Sequence, residues 1–552
     1  MRNLFAKVLA AFAMLVFPVL VYAQDGPVKE KGLDQKIDEA FKPIADAVGK
    51  VVFFEIPISS TINFPFIVLL LIAGALFFTI YFSFINFRHF GLSINVVRGK
   101  YDYMDANAPV IKTPLHKTEE GDIPDTIKDE SKTGEVNHFQ ALATAVSGTL
   151  GLGNIAGVAV AIAMGGPGAT LWMMVAGILG MTLKFVECTL GVRYRDIDPD
   201  GTVHGGPMYY LTKGLRGTKI SSLGKPLAIL FAILCVGGSL GGGNAFQANQ
   251  ATQQVINSFG LESDSSGFII GLILAVLTGT VIIGGIKRIA QVTEKLVPFM
   301  SILYMVASLV IIFMNFSLID DAIAEIINQA FTPDAGLGGI AGVLIMGFRR
   351  AAFSNEAGAG SAAIAHSAVK TRYPASEGIV SLQEPFLDTV VMCCITAMII
   401  VIYNLDGSHS VYGNAENLGG VELSTAAFNA FIPNFSFVLT ISILLFAFST
   451  MISWSYYGLQ SWKFLFGRSK AADLSYKLLF LAFVVIGSSA SLGSVIDFSD
   501  AMIIGMVFPN MIGLFFLFPK AKEELNKYLT AIRDSRHKKI ISEKNKEEVL
   551  EA

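Results

Sequence analysis

The 552 residues predict an all-α polytopic membrane protein of about eleven transmembrane helices. Its core is expected to be a five-plus-five inverted repeat, preceded by one extra N-terminal helix. Three observations predict this. The first is composition: 53% of the residues are hydrophobic and only 15% are charged. The apolar residues come in long blocks, such as 64–87 and 299–316, and a mostly apolar stretch of about 18 or more residues spans a bilayer. The second is that basic residues are confined to alternate loops. The third is that two apolar blocks are interrupted by glycine and polar residues at corresponding places. A net charge of -3 in so apolar a chain excludes a basic nucleic-acid binder and a disordered protein.

The elements follow in order. Residues 1–23 have a basic start at Arg2 and Lys7, an apolar core and Val21-Tyr22-Ala23 at their end, the pattern of a signal peptide. Residues 24–62 are polar, with Leu33, Ile37, Phe41, Ile44, Val48 and Val51 at helical spacing. That stripe predicts an external amphipathic segment. Residues 63–86 are the extra transmembrane helix, and 87–139 form a mixed-charge cytoplasmic insertion. The first repeat, 140–315, holds spans at 140–163, 168–192, 226–256, 267–285 and 292–315. The second, 337–518, holds spans at 337–366, 376–404, 433–462, 474–491 and 498–518. A charged cytoplasmic tail, 519–552, closes the chain.

Charge sets the orientation. The segments on one side carry 31 of the 41 Lys and Arg, whereas loops 164–167, 257–266, 316–336 and 405–432 carry none. Positive charge stays inside, so the mature N-terminus is expected outside and the C-terminus in the cytoplasm, in a cell inner or plasma membrane. Cys188, Cys235, Cys393 and Cys394 all fall in apolar blocks, which suits core residues rather than disulfides or zinc ligands. The seven histidines are scattered over loops, tail and span ends, so loop or surface roles are expected for them.

The interrupted spans carry the function. One contains Ser147-Gly148-Thr149-Leu150-Gly151-Leu152-Gly153-Asn154; the other contains Phe353-Ser354-Asn355-Glu356-Ala357-Gly358-Ala359-Gly360-Ser361. Glycine weakens a helix and polar groups are costly against lipid. Irregular backbone at membrane depth persists only where it lines a cavity or is buried in protein. The two spans lie five apart, so the units that begin with them have opposite topology. Paired interruptions of this kind point to a secondary transporter's binding site. Free N–H groups there attract a carboxylate, and free carbonyls attract a cation.

Other polar residues lie at depth. Phe246 and Gln250 share a helix face and could close over a substrate or glue helices together. Ser449 and Thr450 could complete a hard-cation shell or bond back to their own helix. Lys184 and Glu187, three apart, predict a local ion pair. Glu384 and Asp388, four apart, share a face and suggest either a relay or a pairing with Arg349 and Arg350. No H-E-x-x-H or Walker motif occurs, so neither a metallopeptidase-type enzyme nor an ATP-driven pump is expected.

Asn137-His138-Phe139-Gln140-Ala141-Leu142, the two interruptions and Gly205-Gly206-Pro207-Met208-Tyr209-Tyr210 closely resemble the alanine or glycine:cation symporter (sodium:alanine symporter) family. The similarity covers about 137–518. The resemblance implies a leucine-transporter-type fold and carriage of small neutral amino acids, chiefly alanine and glycine, with Na⁺ as coupling ion. No organic cofactor, nucleic acid or ATP is implied; the partners are substrate and membrane lipid. It implies that the substrate carboxylate meets Thr149, Gly151 and Gly153, and that Gln250, Phe353, Ser354, Glu356 and Ala357 hold the rest. It also implies a Na⁺ site built from the Ser147, Leu150 and Phe446 carbonyls with Ser449 and Thr450. Proton-coupled symport, or an amino-acid-gated channel or sensor on the same fold, is the alternative.

Overall fold

The computed structural model describes residues 43, 46, 49–57, 63–107, 134–261, 263, 265–331, 339–405, 420–432 and 436–551. The expected signal peptide, and most of the amphipathic segment and of the insertion's second half, lie outside them.

Chain order gives the architecture. Helix α1 (Phe66–Tyr81) is followed by three short helices up to residue 107. Then come α2 (His138–Thr149) and α3 (Ala156–Gly165), one span bent by 54° at its break. Next are α4 (Ala169–Arg193), then α5 (Gly224–Leu240) and α6 (Phe246–Phe259), which run on through a π-turn at Gly241–Ala245. Helices α7 (Ser266–Ile282) and α8 (Gly285–Met314) complete the first half. The second half has α9 (Ile319–Phe331), α10 (Gly339–Asn355), α11 (Ala362–His366), α12 (Pro374–Val380), a π-helix at Phe386–Cys393 and α13 (Cys394–Leu405). It ends with α14 (Gly420–Phe431), α15 (Ser436–Phe466), α16 (Lys470–Ser489), α17 (Leu492–Gly505) and α18 (Val507–Glu551).

Seven of these helical stretches are long and apolar enough to cross a membrane, and the bent α2–α3 pair makes an eighth. The chain is a multi-pass membrane protein. The eleven predicted stretches all contain helix, but α1, α7 and α10 are short, at 16, 17 and 17 residues, and α10 does not count among the apolar helices of the described residues. Two helices fall in loops expected to be irregular. They are α9, whose first turn carries Asp320 and Asp321, and α14; negative charge at a helix N-terminus favours the helix.

Helix α4 is the axis of one group, touching α10, α11, α12 and the π-helix. Helices α5, α6, α15, α16 and α17 form a second group, and α2 packs on both α15 and α8. Close approach needs missing side chains. A Cβ on Gly243 would lie 2.1 Å from Trp454 Cγ, so the π-turn and α15 can touch only through glycine. At the end bearing the basic loops, Val136 pairs with Val369 as a parallel bridge, and the Arg195 guanidinium donates to the Ser367, Val369 and Thr371 carbonyls. The basic-side ends of the two broken spans are thereby tied together.

The expected ion pairs regroup. Lys184 pairs with Glu384 of the α12–π-helix segment at 3.3 Å, not with Glu187, which accepts a bond from Asn510. Arg349 and Arg350 pair with Asp500 of α17 rather than with Glu384 or Asp388. Glu384 and Asp388 do not act as a face. The π-helix from Phe386 widens the turn, and Asp388 instead meets Asn154, Ser354 and Thr389. His138, His204 and His366 are buried, against the surface role expected for them. The four cysteines are free thiols, three of them fully covered.

Candidate functional site

The first break has a local cause and a tertiary one. A reciprocal cap starts α2: Gln140 N–H donates to Asn137 Oδ1 at 2.8 Å, and Asn137 N–H to Gln140 Oε1 at 3.2 Å. The helix ends at Thr149, because Leu150 and Gly151 leave helical dihedrals and Leu152–Asn154 form one tighter turn before α3. Three carbonyls of the last turn then face side chains. Thr450 Oγ1 donates to the Ser147 carbonyl at 3.0 Å and lies 3.4 Å from the Leu150 carbonyl. Trp454 Nε1–H lies 3.2 Å from the Gly148 carbonyl.

The predicted cation ligands are brought together in part. Ser147 Oγ donates to the Ser449 carbonyl at 2.7 Å, and Ser449 Oγ to the Phe446 carbonyl at 2.9 Å. With Thr450, these groups gather oxygen atoms from α2 and α15 in a buried place. All-oxygen sets suit hard cations.

The predicted substrate ligands are brought together in part. Gly153 faces Ser354 and Phe353: a Cβ there would sit 3.4 Å from Ser354 Cα and 3.6 Å from Phe353 Cδ1. Phe353 meets Phe246 edge-on, with ring centroids 5.2 Å apart. Gly151 stands against Thr450, 2.5 Å from a built Cβ to Oγ1. Thr149 Oγ1 bonds back weakly to its own helix, at 3.3 Å from the Val146 carbonyl. Gln250 is turned elsewhere, its Oε1 accepting from Val421 N–H at the start of α14 at 3.0 Å. It lines a cavity of about 150 Å³ with Asn249, Gln253, Val421, Glu422 and Ala490. Ala357 is packed on Gly180 of α4.

Glu356 occupies the second break with φ 56°, a left-handed conformation costly for a non-glycine residue. It accepts from Trp454 Nε1–H at 2.9 Å and from Ser361 Oγ–H. The Trp454 indole therefore bridges the two breaks through Gly148 and Glu356.

Four further residues complete the arrangement. Gln247 accepts from Leu152 N–H at 2.9 Å and donates to the Gly242 carbonyl, while Asn154 Oδ1 accepts from Gly151 N–H at 3.0 Å. These oxygens occupy N–H groups of the break that a carboxylate would otherwise meet. Asn154 Nδ2 also reaches Asp388 Oδ1 at 2.7 Å, and Ser354 and Thr389 donate to Asp388 Oδ2. Among the described residues no cationic side chain pairs with Asp388. Asn154 and Asp388 are legible as polar residues in spans; Gln247 adjoins Phe246 but faces the break only because the π-turn rotates α6.

Comparison with known proteins adds the lineage. Residues 121–542 match the profile of the sodium:alanine symporter family. The chain belongs to that family. A relative, the sodium/alanine symporter AgcS of Methanococcus maripaludis, is 41% identical over 391 residues, which are 71% of this chain and 83% of that one. The "Probable sodium/glutamine symporter GlnT" of Bacillus subtilis is 36% identical, over 69% of this chain and 76% of that one. The amino-acid carrier protein AlsT of the same organism is 32% identical, over 82% and 88%. This sodium:alanine symporter family member is therefore a transporter, not an enzyme, and both breaks lie inside the matched stretch.

Proposed function

We propose that the protein carries small neutral amino acids, alanine and glycine, in symport with Na⁺ by alternating access. The mature N-terminus is placed outside and the C-terminus in the cytoplasm. One observation carries the reading: the Thr450 hydroxyl of α15 meets the Ser147 and Leu150 carbonyls at the first break, and the Ser147 hydroxyl meets the Ser449 carbonyl. The Phe446 carbonyl and Ser449 hydroxyl, bonded to each other within α15, are assigned to the same site. The donor set is oxygen throughout, as a desolvated Na⁺ requires. Beside it, Gly151, Gly153, Phe246 and Phe353 leave little room, which favours a side chain no larger than a methyl or a hydroxymethyl group. Thr149, Ser354 and Glu356 are assigned to the substrate's polar ends, and Gln250 and Ala357 to the rim that closes over it.

The test is uptake by the purified protein in liposomes. Labelled alanine should accumulate above equilibrium only with an inward Na⁺ gradient, and unlabelled glycine should compete better than glutamine. Accumulation driven by a pH gradient without Na⁺ would move coupling to protons. Binding without uphill accumulation would make the protein a sensor or channel. The proton reading has one observation in its favour, the Asp388 carboxylate, which is held by Asn154, Ser354 and Thr389 and pairs with no cationic side chain among the described residues. If protons are coupled there, Asp388→Asn should abolish uphill transport while exchange of alanine persists.

A further inference from the structure

A chain of ionisable side chains runs from the basic end of the molecule to the middle of α4, outside the candidate cation site. His138 Nδ1 meets Glu377 Oε2. His366 Nδ1 lies 2.5 Å from Glu377 Oε1, and its Nε2 lies 3.4 Å from Glu384 Oε2. Lys184 Nζ lies 3.3 Å from Glu384 Oε1. Glu377, His366, Glu384 and Lys184 are completely buried; only His138 retains a little exposure, 7%.

Two arguments fix the protons. The first is geometric. His366 presents both ring nitrogens to carboxylate oxygens. A neutral imidazole has one N–H and one lone pair, so one of those contacts would set a lone pair against an anion. An imidazolium donates to Glu377 and sets its second N–H toward Glu384 Oε2, 3.4 Å away and out of line for a hydrogen bond but of opposite charge. The second is charge. Glu377 and Glu384 bring two negative charges and Lys184 one positive. With neutral imidazoles the cluster would bury a net negative charge, which is strongly disfavoured. One proton on His366 balances it, and His138 then donates to Glu377 as a neutral ring. The other ionisable groups facing the cluster are Glu187 and Cys188 on α4, Glu356 in the second break and Tyr457 on α15. Glu294 of α8 is reached only through Gln140. None of these supplies positive charge, and the buried Arg195 guanidinium beside them is spent on the Ser367, Val369 and Thr371 carbonyls, so the need for the proton stays in place.

We propose that His366, clamped between Glu377 and Glu384, is a proton-binding site reached from the basic end through His138. The proton fastens α11, the half-helix that follows the second break, to α12 and α4. Losing it leaves two carboxylates without a bridge and frees α11. The inference rests on the transport reading for its consequence: symport should slow as pH on the basic side rises past the titration of this site.

Two measurements test it. In the full-length protein labelled with ¹⁵N-histidine, one imidazole should carry protons on both nitrogens at about pH 8, where an unperturbed histidine is neutral. That signal should vanish in His366→Gln. Finding every histidine neutral at that pH would overturn the proposal, whether or not the protein transports Na⁺. In liposomes, wild-type uptake should fall several-fold across the titration. His366→Gln should be crippled by the excess charge, and His366→Gln with Glu377→Gln should regain uptake with a flat pH profile. A double variant that follows the wild-type profile would also overturn it. If uptake lacks any Na⁺ dependence, the transport reading fails while the ¹⁵N result still decides the proton site.

Discussion

At the scale of single residues, Thr450 is the hinge of the candidate cation site, since one hydroxyl reaches two carbonyls of α2. Thr450→Val keeps the shape and removes the oxygen. The Na⁺ concentration for half-maximal uptake should rise about 10-fold or more, as expected from losing about 1–3 kcal/mol of polar interaction, while uptake at saturating Na⁺ recovers. Gly151→Ala should be harsher. Its Cβ would lie 2.5 Å from Thr450 Oγ1 and 3.0 Å from Gln247 Oε1, so uptake should be lost from a protein that still elutes as a single species in detergent. The sequence left two readings of the Ser449-Thr450 pair open, and the structure contains both. Ser449 bonds back within its own helix, and Thr450 crosses to α2. A rotamer decides between them, and rotamers depend on neighbours that periodicity does not reveal. The same holds for Gln250, expected on a face with Phe246 but spent on α14 in this conformation.

At the scale of elements, both breaks and the long apolar helices were legible, because glycine and amides inside an apolar run are costly against lipid unless the backbone opens onto protein or a cavity there. The ion pairs were not. Lys184–Glu187 spacing suits a contact along one helix, yet Glu187 accepts from Asn510 and the buried ammonium pairs with Glu384 across the helix interface, a tertiary contact that spacing along one helix does not show. Nor did pattern reading resolve the π-turns, which keep a helix's composition while shifting its phase. The Gly241–Ala245 turn yields a prediction of its own. Gly243→Ala would push a methyl into Trp454, whose N–H holds Gly148 and Glu356. Alanine uptake should drop by an order of magnitude or more, and the melting temperature should fall with it. Gly493→Ala, with open space around its Cβ, should change neither.

At the scale of the whole molecule, Arg349 and Arg350 clip α10 to α17 through Asp500, with Asp500 and Arg350 both buried. Removing one partner strands a buried charge, which typically costs about 3–5 kcal/mol, whereas replacing the pair by apolar groups is often neutral. Asp500→Leu should therefore lower thermal stability more than Asp500→Leu combined with Arg350→Met, as a melting curve of the purified protein would show. The clip is also stacked: the Arg350 guanidinium lies 5.1 Å over the Phe353 ring, and Arg349 lies 4.3 Å over Phe53. Phe53 belongs to a segment before residue 121, where the family match begins. So does α1, whose Phe78 is fully buried against Phe515 and whose Leu71 would sit 2.4 Å from a Cβ at Gly358 in the second break. The stretch matched by the family profile and the packed unit thus have different edges. A chain trimmed to residues 121–542 would uncover the back of its own second break, so it should lose alanine uptake that a chain starting upstream of Phe53 retains.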